Sequence, residues 1–171
     1  MKKSLKVIIA LLLFLLVLLL SFKIFQQLQW KKKMTTKLKE MPAFRCYTVD
    51  SLPFTSQDIN WNGPTVFVFY QPDCESCNQE AKDILQHKSS LDSIHLLLVS
   101  DCSILAMKQF GDKYGFSAMS GITLLKAGPG DIYRYFGVVL TPSFLIYNSD
   151  RHLVNQYNGE TRMDLVLKSL L

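Results

Sequence analysis

Apolar positions are spread very unevenly along this chain. One run fills 7–22, broken only by Ser21 and preceded by Lys2, Lys3 and Lys6. Its length is at the short end of a membrane span, about 17 residues. It is apolar on every side and sits at the extreme N-terminus, which disfavours a buried core helix. No small-x-small cleavage pattern follows it (Leu19-Leu20-Ser21-Phe22-Lys23). It therefore reads as an uncleaved signal anchor over 1–23 rather than a removed signal peptide. No cysteine follows closely, which sets a lipoprotein aside. From 24 to 40 the chain is basic with scattered apolar residues, a stalk or linker in which Trp30 and the lysines suit a membrane interface. Met41-Pro42 ends it, since helices usually stop before a proline.

From 41 to 171 the pattern alternates between strand and helix periods. Strands are expected over 44–49, 65–70 and 94–99, with a short one over 122–125. The second, T-V-F-V-F-Y, is β-branched and aromatic throughout, as a central buried strand should be. Residues 50–53 read as a turn and 54–62 as irregular or helical, closed by Asn62-Gly63-Pro64. Helices are expected over 75–88 (Ala81, Ile84 and Leu85 inward), 103–114 (Ile104, Leu105, Met107 and Phe110 inward) and 163–170 (Leu165, Val166 and Leu170 inward), with a helical turn over 131–136. A strand over 143–147 pairs through a turn with one over 152–157. The order is α/β, parallel strands first and antiparallel ones last. No internal repeat is present.

Charge sharpens the division. The first 40 residues hold nine lysines and one acid, Glu40, a net +8, whereas the rest is −3. The high pI belongs to the tail. The folded part has no basic face, which argues against nucleic-acid binding. Lysines flank the apolar run on both sides and do not orient it. An exported domain follows from the signal-peptide form of the anchor.

Cys74 and Cys77 stand where the strand over 65–70 gives way to a helix. A helix N-terminus stabilises a thiolate, so Cys74 is the expected nucleophile toward a disulfide. Cys77, one turn further in and more covered, is the expected resolving thiol. Asp73 and Glu75 place negative charge beside Cys74. This disfavours the thiolate and makes the pair a reductant or intermediate rather than a strong oxidant. Glu80, three residues past Cys77 on the same helix face, is a candidate for proton transfer; the plainer reading is a solvated helix residue. The Cys74–Cys77 disulfide is itself the redox group, with no further cofactor and no metal expected. Cys46 and Cys102 are single, and His87, His95 and His152 are scattered, so neither a zinc site nor a copper site is spelled out. Cys46 reads as a buried strand thiol. Cys102 reads as a buried free thiol, or as an auxiliary thiol at the sheet edge that carries Cys74. A Cys46–Cys102 disulfide is the remaining option. A peroxidase would want a threonine where Gln71 stands. Thr141-Pro142 begins the strand over 143–147, where a proline costs no ladder bond.

These residues resemble the thioredoxin superfamily, and most closely the membrane-anchored TlpA/ResA-like thiol–disulfide oxidoreductases of bacteria. The marks are Met41-Pro42-Ala43-Phe44, the apolar strand into P-D-C-E-S-C, Glu80, and the V-L-T-P-S-F-L-I-Y run, covering about 41–171. The resemblance implies a thioredoxin fold, a central mixed sheet flanked by helices, behind an N-terminal transmembrane helix. It implies a cis Thr141-Pro142 packed against Cys74, these two lining a substrate groove. It also implies a single-pass protein of the bacterial inner membrane, its domain facing the periplasm or exterior. The implied partners are protein thiols and disulfides and a membrane-bound electron donor. The chain departs from the family in having Gln71-Pro72-Asp73 where an aromatic often stands, and Glu75-Ser76 where the dipeptide often holds proline. The alternatives are a thiol-dependent peroxidase, or a non-catalytic binding module with a structural Cys74–Cys77 bond.

Overall fold

The computed structural model describes residues 2–91 and 93–170. The side chains of 2–10 and of Lys31 lie outside the described residues, and so do the expected outer bounds at 1 and 171. The chain divides into two compact units, Met1–Thr36 and Lys37–Leu171.

Helix α1, Lys2–Leu38, accounts for the first unit and runs without a break through most of the stretch expected as a stalk. Every side chain from Leu11 to Leu20 is more than half exposed. By length and composition this helix can cross a membrane, and a helix apolar on every side has no favourable face to offer water.

The second unit is sheet-centred. Its strands are β1 (Arg45–Thr48), β2 (Pro53–Thr55), β3 (Thr65–Phe69), β4 (His95–Ser100), β5 (Ile122–Lys126), β6 (Ser143–Tyr147) and β7 (Leu153–Asn158), and its helices are α2 (Glu75–Gln86), α3 (Ile104–Lys113), α4 (Asp131–Phe136) and α5 (Met163–Lys168). Among the described residues the strands form one sheet in the order β2-β1-β5-β4-β3-β6-β7. β3, β4 and β5 are parallel, while β6 and β7 return antiparallel on the β3 side. The three-residue strand β2 replaces the turn and irregular stretch expected there, pairing Cys46 with Phe54. Its proline is its first residue, a place an edge strand tolerates.

The pleat sorts the apolar residues onto two faces. Val66, Val68 and Tyr70 share one with Leu96, Leu98, Phe144 and Ile146, and on it pack Ala81 and Ile84 of α2, Met107 and Phe110 of α3, and Met163 and Val166 of α5. Two successive parallel crossovers of the same hand bring α2 and α3 to the same side. On the other face Phe67 and Phe69 meet Phe136 of α4 at ring-centroid distances of 5.2 and 5.0 Å, with Phe44 and Tyr147 around them. Each such ring removed from water stabilises the fold by about 2 kcal/mol or more.

Two expected inward residues point out. Leu105 is 67% exposed and Leu165 43%. Met107 and Phe110 of α3 and Val166 of α5 are buried as expected, with Gly111 and Met163 buried beside them, so only the flank of each expected face differs.

The segment after Thr36 is sewn to the β6–β7 hairpin. Leu38 is buried, and the Tyr147 hydroxyl donates to its carbonyl at 3.2 Å. Leu153 N–H donates to Lys39 O, and Met41 N–H to Arg151 O.

Candidate active site

The register of the sheet assembles the site. Phe69 pairs with Ser143, so the end of β3 and the start of β6 lie side by side. Cys74 follows the first and Thr141-Pro142 precedes the second. The Thr141-Pro142 bond is cis, and the Cys74 thiol donates to the Thr141 carbonyl at 3.9 Å.

Cys74 is the N-cap of α2, with extended backbone, and its sulfur accepts the Cys77 N–H at 3.4 Å. It is partly exposed, whereas Cys77 is 2% exposed. Burial pushes the Cys77 thiol well above its ordinary range, partly offset by the Gln71 N–H that points at its sulfur. All four cysteines are unbridged.

Asn78 clamps the loop before α2. Its amide nitrogen donates to the carbonyls of Pro72 (2.9 Å) and Cys74 (2.8 Å). Its amide oxygen accepts from Lys113 Nζ and from the Tyr114 hydroxyl, both at the end of α3. Sequence reasoning missed Asn78, because nothing in an isolated asparagine marks it as a four-way junction.

Glu80 is buried, not solvated as its plainer reading expected: it is 3% exposed. One carboxylate oxygen accepts the Thr161 N–H, and the other has no protein partner. Burial raises its pKa to about 7, with smaller contributions from Asp83 and Glu160 and against the Thr161 hydrogen bond. It stands between two spaces. Inward lies a cavity of about 10 Å³ lined by Tyr70, Cys77, Glu80, Ile84, Phe110 and Pro142 among others. Outward lies a polar cleft of about 150 Å³ between α2 and the corner at 160–162.

Cys102 is at the expected sheet edge, just past β4, but is only partly buried. Its N–H donates to Ser100 Oγ, which donates to Gln71 Oε1, so it is linked to the dithiol loop through two side chains. Cys46 is fully buried on the opposite face, and burial pushes its thiol up to about 12. Among the described residues no three His, Cys, Asp or Glu side chains gather as metal ligands.

No protein-family model and no curated protein matches the sequence. The fold, however, matches many solved structures. A secreted disulfide oxidoreductase of Mycobacterium tuberculosis, described as homologous to E. coli DsbE, is 22% identical with a TM-score of 0.64, covering 79% of this chain and 96% of its own. The peroxidoxin BcpB of the same organism has a TM-score of 0.66 at 18% identity, covering 77% and 93%. StoA from Bacillus subtilis has 0.58 at 12% identity, covering 77% and 98%. These are thioredoxin-fold proteins, and the second unit has the thioredoxin fold.

Proposed function

We propose that this protein is a membrane-tethered thiol–disulfide oxidoreductase that reduces disulfides in exported proteins. The observation that carries the reading is the asymmetry of the two thiols. Cys74 caps α2, partly exposed, beside the Thr141 carbonyl, and Cys77 is buried directly behind it. An exposed nucleophile backed by a covered resolving thiol is what disulfide exchange needs. Cys74 attacks the substrate disulfide, forming a mixed disulfide and releasing one substrate thiolate. Cys77 then attacks the Cys74 sulfur, releasing the second. Two electrons pass from the dithiol to the substrate, and the Cys74–Cys77 disulfide remains.

A thiol must lose its proton to attack, and Cys77 is buried where that is costly. Glu80 serves as the acceptor: it shares the small cavity with Cys77, and its affinity for a proton falls near neutrality. A general base works best when its pKa lies near the working pH. The reducing direction is supported by the acidic neighbours of Cys74 in the chain, Asp73 and Glu75. Similarity to secreted and exchange-active neighbours, together with helix α1, supports a domain outside the bacterial inner membrane that is recharged by a membrane-bound donor.

The test uses the full chain in detergent micelles. The reduction potential of the Cys74–Cys77 pair is measured against dithiothreitol, and Cys77→Ser is incubated with oxidised glutathione. A potential between roughly −120 and −270 mV and a trapped adduct on Cys74 are the expected results. A pair that resists reduction and traps nothing sinks the proposal in favour of a binding module. Rapid formation of a sulfenic acid on Cys74 with hydrogen peroxide, faster than exchange, would favour the peroxidase that the BcpB-like shape also suits.

A further inference from the structure

Gln71 is the first residue past the ladder between β3 and β4, where the Tyr70 N–H still donates to the Val99 carbonyl at 3.1 Å. Each of its polar atoms has a partner, and the partners join two parts of the molecule. Its main chain serves the dithiol: the N–H points at the Cys77 sulfur from 3.4 Å, and the carbonyl accepts the Cys74 N–H at 3.2 Å. Its side chain serves the end of β4: Nε2 donates to Asp101 Oδ1 at 2.6 Å, and Oε1 accepts from Ser100 Oγ at 3.3 Å. The far side of this clamp is itself held. Ser100 is fully buried, and its Oγ also accepts the Cys102 N–H. The Asp101 carbonyl accepts from Lys126 Nζ, at the end of β5, at 2.7 Å. Polar side chains thus tie together the ends of the three parallel strands at the edge that carries the dithiol.

We infer that the Gln71 side chain, gripped by Ser100 and Asp101, aims its own main-chain N–H at Cys77 and is a positioning residue of the resolving step. The inference rests on the exchange reading above and adds to it what holds the resolving sulfur's donor in place. Pro72 confines the Gln71 backbone to extended values but leaves about 40° of play in φ on either side. A hydrogen bond weakens steeply once its angle falls below about 120°. Fixing both ends of the side-chain amide removes that play. In the resolving step the Cys77 thiolate attacks the Cys74 sulfur of the mixed disulfide. The bond from Cys74 to the substrate sulfur breaks, the substrate leaves as a thiolate and takes a proton from solvent, and the Cys74–Cys77 bond forms.

A hydrogen bond to a charged acceptor shifts its population by about ten- to a hundredfold. Part of that gain is returned, because a stabilised thiolate is a weaker nucleophile, with a Brønsted slope of about 0.4–0.5. The net effect on resolution is roughly three- to tenfold. Among the described residues the titratable groups around Cys77 are Cys74 at the helix cap, Tyr70 at the end of β3 and Glu80 one turn along α2. Asp101 is bonded to the Gln71 amide. Losing its charge alone would ease formation of a thiolate, so a charge effect and a positioning effect have opposite signs.

The experiment follows a single turnover of the full chain in detergent micelles with oxidised glutathione, in wild type, Gln71→Ala, Asp101→Ala and Asp101→Asn. Acid quenching and mass measurement of the glutathione adduct separate attack by Cys74 from resolution by Cys77. Gln71→Ala should slow resolution about three- to tenfold and leave attack at the wild-type rate. Asp101→Ala should give a smaller loss in the same direction. Asp101→Asn keeps an acceptor for Nε2 and should resolve within about twofold of wild type. Wild-type resolution in Gln71→Ala overturns the inference. So does equal slowing of both steps, which would mark a general loosening of the loop. Faster resolution in Asp101→Ala, or an asparagine variant as slow as the alanine one, overturns it as well. A wild type that forms no adduct on Cys74 defeats the exchange reading instead, so the two failures are distinct.

Discussion

The backbone N–H of Gln71 points at the sulfur of Cys77 from 3.4 Å. The N–H of Cys77 in turn points at the sulfur of Cys74, also from 3.4 Å. Each sulfur thus has one main-chain donor aimed at it, but the two differ in access to solvent. Cys74 should therefore be alkylated by iodoacetamide before Cys77 in the native, reduced protein near neutral pH. Peptide mass spectrometry after short exposure would read the order. Equal labelling of Cys77 would contradict its burial and the upward shift of its thiol.

Glu80 makes stability depend on pH in a direction opposite to that of an ordinary paired carboxylate. The folded protein keeps its proton up to about 7, whereas the ordinary value is 4.5. The stability supplied by that proton is complete below 4.5 and is lost as pH rises through 7. The wild type should lose up to about 3 kcal/mol across that window that Glu80→Gln does not lose. Urea denaturation of both proteins at the two ends of the window measures the difference.

Neutralising Glu160 should shift the titration of Glu80 downward, because the Glu160 charge opposes ionisation of Glu80. In Glu160→Gln, resolution on the acid side of the midpoint should speed up about two- to threefold, the effect of one screened unit charge nearby. The rate at high pH should not change. A carbon-13 NMR titration of the Glu80 carboxyl reads the same shift directly.

Asn78→Ala removes both amide donors from the Pro72 and Cys74 carbonyls and the acceptor used by Lys113 and Tyr114. The expected loss is about 1–3 kcal/mol, measured by urea melts. Asn78→Asp keeps the acceptor and loses the donors, so it should recover only part of the stability.

What could be read in the sequence follows from which forces are local. The strand T-V-F-V-F and the helix after Cys74 are written in residue type and period, and both formed within a residue or two of expectation. The cap at Cys74 and the cis bond at Thr141-Pro142 also agree with expectation. Strand β2 was hidden because three residues carry no period and its partner supplies the reason to be extended. The outward turn of Leu105 and Leu165, at the flanks of faces otherwise centred on Met107, Phe110 and Val166 as expected, was hidden because the width of the buried face depends on the surface the sheet presents. Glu80 was misread for the same reason. A lone glutamate on a helix looks solvated until the 160–162 corner closes over it and Thr161 donates to it.

The stitching of the chain after Thr36 bears on how the domain can be freed from its helix. Leu38 is buried, and the Tyr147 hydroxyl has its carbonyl as acceptor. A protease that cut at Met41 would strip a core residue and strand a buried hydroxyl, a combined cost of about 3 kcal/mol or more. A product of shedding keeps this stitch only if it carries residues from Lys37 onward. Its new N-terminus would mark cleavage within α1, rather than in the proline-bounded segment that looks, from its composition, like the exposed place to cut.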